Sequence, residues 1–389
     1  LNKTADAAQS LAVYVHWPFC RSKCPYCDFN SHVRESIDEA AWLDALCREL
    51  DHYAGLSGPR GIGSIFFGGG TPSLMSARTV EGLIDRIGRN WSLPDTAEIT
   101  LEANPTSVEA EKFRDFAAAG VNRVSLGIQS LRDDDLRALG REHSVAEAKD
   151  AIALAQKYFR RNSFDLIYAR MGQTVAEWER ELQEALDLAA NHLSLYQLTM
   201  EKGTPFHAAY RKGQLILPDE DASAEMYDLT REVCAAAGLP AYEVSNHAAP
   251  GEESRHNMTY WTYGDYIGIG PGAHGRLTVE GRLHATCQRR KPEFWLRDVQ
   301  ETGHATEQDE LLDRRTMAEE MIMMGLRLSR GIALAEFQAR IGDPLEDHLD
   351  QSRLEALLAQ GYLDKDAGHL RVTGKGAPLL NYLLGELLA

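Results

Sequence analysis

YVHWPFCRSKCPYCDF, residues 14–29, decides how the rest of the chain is read. An apolar, β-like run ends in a loop that carries Cys20, Cys24 and Cys27 in Cys-x3-Cys-x2-Cys spacing. Three thiolates on one short loop can hold three irons of a [4Fe-4S] cube, which nominally takes four cysteines, so one iron stays open. An open iron suits a chelating small molecule better than simple electron transfer. A structural zinc site is the alternative; it favours Cys-x2-Cys pairs and a closed set of four ligands, which His16 or His32 would complete here. A disulfide would leave one of the three clustered cysteines over.

The chain has 389 residues, 44% of them hydrophobic, enough for a sizeable core and more than one domain. Lys plus Arg at 41 against Asp plus Glu at 58 gives a net charge of -17, which argues against nucleic acid as a partner. Cys47, Cys234 and Cys287 are single and scattered, as expected of reduced thiols in a cytoplasmic protein. No apolar run approaches the roughly 18 residues that would span a bilayer, so the protein is not expected to be membrane-integral. The opening LNKTADAAQS lacks the basic-then-apolar form of a signal peptide, and residues 1–10 are expected to be disordered.

Periodicity then alternates between strand and helix. Strands are expected over residues 11–16, 64–67, 98–101, 123–128, 163–168 and 192–198. Helices are expected over 37–53, 80–87, 108–119, 133–139, 145–158 and 175–189. Six such units at intervals of roughly 25 to 40 residues imply an α/β fold with a parallel sheet. In these sheets chemistry gathers at the carboxyl ends of the strands. The cysteine loop, Gly68-Gly69-Gly70-Thr71-Pro72, Glu102-Ala103-Asn104-Pro105 and Gln129 all fall there, and Asp165 lies inside the fifth strand.

Each motif has a plain reading beside the chemical one. A glycine run permits turns and close backbone approach. Glu102 at a strand end can be solvated, or can accept hydrogen bonds from ribose hydroxyls. Arg141 can pair with surface carboxylates, a contact worth little, or fork onto a cofactor carboxylate.

In order, YVHWPFCRSKCPYCDF, FFGGGTPS, LEANP, NRVSLGIQS, LGREH and FDLIY resemble the branch of the radical S-adenosylmethionine superfamily around oxygen-independent coproporphyrinogen III oxidase. The resemblance covers nearly the whole chain. It implies a partial (β/α)6 TIM-like barrel over residues 11–245 and S-adenosylmethionine bound at the open iron. It assigns Cys20, Cys24 and Cys27 to the [4Fe-4S] cluster, and Tyr14, Tyr26, Gly69, Gly70, Thr71, Glu102, Gln129, Arg141 and Asp165 to the cofactor. The true oxidases carry a fourth cysteine where this chain has Phe29, and a longer arm ahead of the first strand. Met171 stands where relatives usually have a proline before Gly-Gln-Thr, a change of loop stiffness more than of chemistry.

Residues 255–261, RHNMTYW, match the HNxxYW motif of the branch's heme chaperones. A histidine beside Tyr and Trp can be a satisfied core residue. Heme, however, wants an axial imidazole and flat aromatic cover, and His256, Asn257, Tyr260 and Trp261 are the residues expected to supply them. The glycine-rich run Gly268 to Gly275 follows, able to approach a planar ligand closely, and includes His274 as a second candidate. Residues 246–305 are read as a connecting segment that carries this motif. From about residue 306 to 389, helical periodicity over 311–328, 334–341 and 345–359 precedes short β-like runs, a winged-helix-like pattern without a Lys/Arg stripe. The resemblance therefore implies a heme-binding chaperone that delivers heme to client hemoproteins such as respiratory-chain components, with a homodimer open. The alternative it leaves is a radical enzyme acting on coproporphyrinogen III or another porphyrin precursor.

Overall fold

The computed structural model describes residues 10–388, so the disorder expected for the first nine residues lies outside the described part. β1 (Leu11–Trp17) runs into the cysteine loop, which is closed by a short parallel pair, β2 (Phe19–Cys20) and β3 (His32–Val33). α1 (Glu39–Ser57) returns along the outside to β4 (Ile62–Gly69), and α2 (Ala77–Asn90) to β5 (Glu98–Ala103). Two short helices, α3 (Ser107–Ala110) and α4 (Phe113–Ala118), lead to β6 (Arg123–Gln129). α5 (Asp133–Ala138) and α6 (Val145–Tyr158) precede β7 (Arg161–Tyr168), and α7 (Val175–Leu188) precedes β8 (His192–Gln197).

These six strands lie in the order of the sequence and pair in parallel throughout, β1-β4-β5-β6-β7-β8, which is the winding of a partial TIM-like barrel. The helices form where capping and amphipathic spacing coincide. Ser144 and Thr174 each make a reciprocal capping box, with Glu147 and Glu177, at the starts of α6 and α7. The single helix expected over 108–119 is instead two, because Glu109 and Lys112 turn inward: Glu109 accepts from the Asn104 N–H at 3.1 Å and Lys112 Nζ donates to Ser73 O at 3.1 Å.

β1 is apolar and buried at six of its seven positions, so it cannot be an edge. The structure shows what covers its other side. After α8 (Pro205–Arg211), α9 (Glu220–Ala236), β9 (Asn246–Ala248) and α10 (Arg255–Trp261), β10 (Tyr266–Ile269) pairs in parallel with β1. Then β11 (His274–Val279) and β12 (Arg282–Gln288) run antiparallel, and beyond α11 (Pro292–Thr302) comes β13 (Thr306–Leu311), giving one sheet of 11 strands. The segment read as a connector is thus in large part sheet.

α12 (Arg314–Gly325), β14 (Ile332–Ala333), α13 (Leu334–Ile341), α14 (Gln351–Ala359), β15 (Leu363–Lys365), β16 (His369–Val372) and α15 (Leu380–Leu387) form the helical C-terminal region with a three-stranded sheet. Its own apolar core, including Ile322, Phe337, Leu357, Leu370 and Leu383, also takes in Tyr263 and Leu283 from the barrel side. No helix among the described residues is long and apolar enough to cross a membrane.

Asp265, 5% exposed, ties these layers together: it accepts from Arg60 at 2.6 Å, from Arg340 of α13 at 2.6 Å and from the Thr278 N–H at 2.8 Å. Burial works against its charge, but the two guanidiniums and the N–H hold the carboxyl below its usual range. A depressed carboxyl stabilises the fold above its unfolded pKa and loses that contribution as pH falls through the folded one. Asp265→Ala should cost about 3 to 5 kcal/mol, the range for removing one partner of a buried ion pair. Denaturant melts of the variant should also lose part of the wild-type sensitivity to acid.

Candidate functional site

The carboxyl ends of β1, β4, β5, β6 and β7 surround an open cleft of about 180 Å³, lined among others by Cys20, Cys24, Cys27, Gly70, Glu102, Arg141 and Asp165. The cysteine loop is held against the glycine edge after β4. The Gly70 N–H donates to Trp17 O at 2.7 Å and the Thr71 N–H to Phe19 O at 2.8 Å. A Cβ on Gly70 would stand 2.6 Å from Phe19 O, so no other residue fits this approach.

Two of the three thiols are joined by a chain of donated hydrogen bonds. Arg141 Nη1 donates to Cys24 Sγ at 3.4 Å and its Nη2 to Asn104 Oδ1 at 2.6 Å. Asn104 Nδ2 donates to Thr71 Oγ1 at 3.3 Å, and Thr71 Oγ1 donates to Cys20 Sγ at 3.4 Å. All these donors point from the guanidinium towards the sulfurs, the arrangement that stabilises anionic thiolate and each bond in the chain reinforces the next. Arg141 Nε is buried and without a protein partner, so the guanidinium retains a donor for a further acceptor. Burial pushes the Cys20 and Cys27 thiols up, so iron must displace their protons on binding. Among the described residues no three His, Cys, Asp or Glu side chains converge to hold a single metal ion. A cube does not require convergence, because each thiolate takes a different iron.

Below the thiols, Glu102 accepts from the Gly69 N–H at 3.3 Å, and Asp165 accepts from Ser125 Oγ at 3.2 Å. Burial, then the neighbouring Asp165 charge, pushes the Glu102 carboxyl up to about 8. Burial likewise pushes Asp165 up to about 6. Gln129 sits at φ +72°, a backbone strain for a non-glycine residue that points to function. Tyr14 OH bonds His16 Nδ1 at 3.0 Å, and burial raises the Tyr14 and Tyr26 phenols well above their ordinary value. The cleft thus brings together the residues expected at the cluster and its small-molecule partner with one exception: Tyr14 is not part of its lining.

The HNxxYW residues are elsewhere. α10 packs between β4 and α12. The His256 N–H donates to Glu98 at the start of β5 at 3.2 Å, and Glu98 also pairs with Arg161. His256 Nδ1 bonds Ser64 Oγ at 2.9 Å and Nε2 bonds Tyr260 OH at 2.6 Å, and the ring stacks on Phe66. His256 is 1% exposed, and burial, then Arg123, pushes its imidazole down to about 3. Ser64 lies near the amino end of β4, about 16 Å from Gly69 at roughly 3.3 Å per residue. The motif thus plugs the barrel at the end opposite the cysteines, with both ring nitrogens of His256 engaged. Asn257, Tyr260 and Trp261 are partly buried around it, and Arg327 of the C-terminal region stands 6.0 Å over the Trp261 ring. The glycine run after β10 closes on the protein itself: a Cβ on Gly270, at φ +90°, would stand 2.3 Å from His16 O.

The Radical SAM superfamily profile matches residues 14–185, and that of the HemN C-terminal domain matches residues 312–379. The chain is 38% identical over 382 residues to the heme chaperone HemW of Escherichia coli, covering 97% of this chain and 98% of that one. This chain belongs to the HemW family of the radical SAM superfamily. It is also 41% identical over 394 residues to the mitochondrial radical S-adenosyl methionine domain-containing protein 1 of Bos taurus, with 99% of this chain and 89% of that one covered. Among solved structures, the radical SAM enzyme coproporphyrinogen III oxidase (HemN) of Escherichia coli superposes with a TM-score of 0.82 at 22% identity, over 97% of this chain and 90% of that one. That likeness shows a shared fold.

Two functional residues of this HemW-family chain escape a reading by motif. Asn104 was visible only as part of LEANP, yet it is the link between the two thiol donors. Asn30 follows the cysteines without a motif, yet its Nδ2 donates to Pro271 O at 2.8 Å and to Arg290 O at 2.9 Å, fastening the cysteine loop to the far side of β1. Thr71→Val keeps the shape of the donor to Cys20 and removes its O–H. Hydrogen bonds to cluster sulfurs set the potential, and losing one should move it to more negative values. Redox titration followed by electron paramagnetic resonance checks this; an unchanged midpoint would deny Thr71 that role.

Proposed function

We propose that the protein is a heme chaperone that binds heme and passes it to client hemoproteins. In this reading a [4Fe-4S] cluster is held by Cys20, Cys24 and Cys27, with S-adenosylmethionine against the same cleft, in a reducing compartment such as the cytoplasm. The observation that carries it is the near end-to-end similarity to HemW, joined to a cleft whose donors and carboxylates suit this pair of groups. The cluster, when bound, supplies one-electron chemistry at an iron without a protein ligand.

The chain's own residues divide the work. Arg141, Asn104 and Thr71 direct donors at two thiolates, and the spare Arg141 Nε is left for an acceptor that a ligand brings, such as a carboxylate. Glu102 and Asp165 wait as acceptors for hydroxyl donors such as those of ribose. Tyr26 bounds the site, and the strained Gln129 and the Gly69 and Gly70 backbone form its edge. Phe29, 61% exposed where the oxidases carry a cysteine, argues against the porphyrinogen-oxidising reading.

Anaerobic reconstitution should give about four irons and four sulfides per chain, and Cys24→Ala should lose most of them. The loaded protein should take up hemin in stoichiometric amount and transfer it to an apo-hemoprotein while leaving coproporphyrinogen III unchanged. Steady porphyrinogen oxidation would favour the enzyme instead.

Affinity for S-adenosylmethionine should depend on pH. With Glu102 near 8 the carboxyl is mostly protonated at neutral pH before a ligand binds, and hydroxyl donors and the positive sulfonium favour its ionised form. Affinity therefore rises with pH until about 8 and then levels. Glu102→Gln should flatten that dependence and weaken binding by about 1 to 3 kcal/mol. Calorimetry across pH in buffers of different ionisation enthalpy reads both.

A further inference from the structure

The face around the mouth of the cleft differs in charge from the rest of the chain. Residues 20–35 and 287–298 carry seven Lys and Arg against four Asp and Glu, in a chain whose net charge is -17. Two of the four carboxylates are already engaged: Glu293 pairs with Arg34, and Asp298 with Arg289 and Arg297. Arg21, Lys23, Arg290 and Lys291 are exposed and have no carboxylate partner among the described residues. The two segments form one surface, because Asn30 Nδ2 donates to Arg290 O at 2.9 Å and the Arg34–Glu293 pair joins the cysteine loop to α11. Three exposed apolar side chains stand among these charges. Phe29 lines the mouth of the cleft two residues beyond Cys27, and Val33 pairs with Cys20 across β2 and β3. Phe294 lies under Lys291 and Arg297, at 5.5 and 5.3 Å from its ring. Exposed aromatics rimmed by unpaired cations make a face suited to another protein.

We propose that this face docks an acidic one-electron carrier protein, with Arg290 and Lys291 steering it and Phe29, Val33 and Phe294 forming the apolar contact. The inference rests on the cluster reading above and deepens it by naming where the electron enters. Charge selects the partner. An acidic protein is repelled by most of a chain of net charge -17 and attracted here, so opposite charge guides it to the one face that carries the cysteines. Distance selects its task. Two residues of chain, about 7 Å at full extension, separate Cys27 from Phe29, and Val33 is the direct strand neighbour of Cys20. Electron transfer slows steeply with separation, so a donor seated on these side chains is within reach of the thiolates that would hold the cluster. The carrier loses one electron and the cluster gains it; no bond forms or breaks and no proton moves. A contact of three apolar side chains and a few charges belongs with the small, transient interfaces of electron-transfer pairs, which release the carrier after each encounter.

The test uses the full, anaerobically reconstituted chain and an acidic flavodoxin as the probe. Calorimetry reads binding of the oxidised flavodoxin at low and high salt. Stopped-flow absorption reads reduction of the cluster by the flavodoxin hydroquinone, with photoreduced deazaflavin as a small reductant that needs no docking. The double variant Arg290→Glu/Lys291→Glu should weaken flavodoxin binding and slow its reduction of the cluster by roughly tenfold at low salt, the difference closing as salt is raised. Phe294→Ala should weaken binding without changing its salt dependence. Iron content and the rate with deazaflavin should match wild type in both, showing that fold and cluster are intact. The same reversal at Lys157 and Arg160, exposed ahead of β7, should have a far smaller effect. Wild-type binding in Arg290→Glu/Lys291→Glu, or an equal loss in the Lys157 and Arg160 pair, overturns the assignment and leaves the cluster reading in place. Loss of self-association in the double variant with flavodoxin binding unchanged gives the face to a second copy of the chain and overturns it too. A wild type that binds no flavodoxin while deazaflavin still reduces its cluster does the same. A chain whose cluster does not form, or takes no electron from deazaflavin, overturns both.

Discussion

The cysteine loop has almost no regular structure of its own, and the constraint on which everything else turns is that it must be gripped from both sides of β1. Backbone donors from the β4 edge take up Trp17 O and Phe19 O on one side. On the other, the turn after β10 is pressed against His16, and Asn30 closes the gap to Pro271 and Arg290. Both contacts depend on backbone approaching backbone closer than a side chain permits. Glu49 of α1 completes the grip by accepting from the Gly270 N–H at 2.8 Å, the Ala305 N–H at 3.0 Å and Trp295 Nε1. Burial pushes its carboxyl up to about 7 despite three donors.

That grip explains the electrostatics of the cleft. The Cys20 and Cys27 thiols, pushed up by burial, share the cleft with an arginine that donates directly to Cys24 and reaches Cys20 through Asn104 and Thr71. Deeper in, burial raises Glu102 to about 8, so that carboxyl is mostly protonated at neutral pH, while Asp165, raised to about 6, is mostly ionised. The Arg141 cation and the Asp165 anion offset one another, and further charge is drawn out by what binds. Iron on the sulfurs would release their protons to solvent, and a cationic ligand would favour the ionised form of Glu102. A chain of net charge -17 can host such a site because its negative charge is carried largely outside the cleft, where water screens it.

The two ends of the barrel do different work. At the carboxyl ends the strands open into the cleft; at the amino ends α10 inserts His256 under Phe66 and ties Glu98, Ser64 and Tyr260 into one buried network. α10 also touches α12, so the plug is the point where the barrel meets the C-terminal region. A change at HNxxYW acts first on the interior of the barrel and on that contact.

The sequence by itself determined the barrel and the cysteine loop, and it pointed to much of the cleft's lining. Strand period, helix spacing and capping are local properties, and βα units order themselves by short connections. α6 and α13 occupy the spans their periodicity predicts, 145–158 and 334–341. Only the tertiary structure decided the rest. β11 and β12 mix polar and apolar residues, β13 is polar at all but its last position, and they are strands because they pair with one another at the sheet edge, which no local period announces. Asn104 and Asn30 matter through partners 37 and 260 positions away. His256 looks the same in sequence whether its nitrogens are free or bonded. Whether a histidine is a ligand or a plug depends on what the fold brings to its two nitrogens, here Ser64 from β4 and Tyr260 from one turn on.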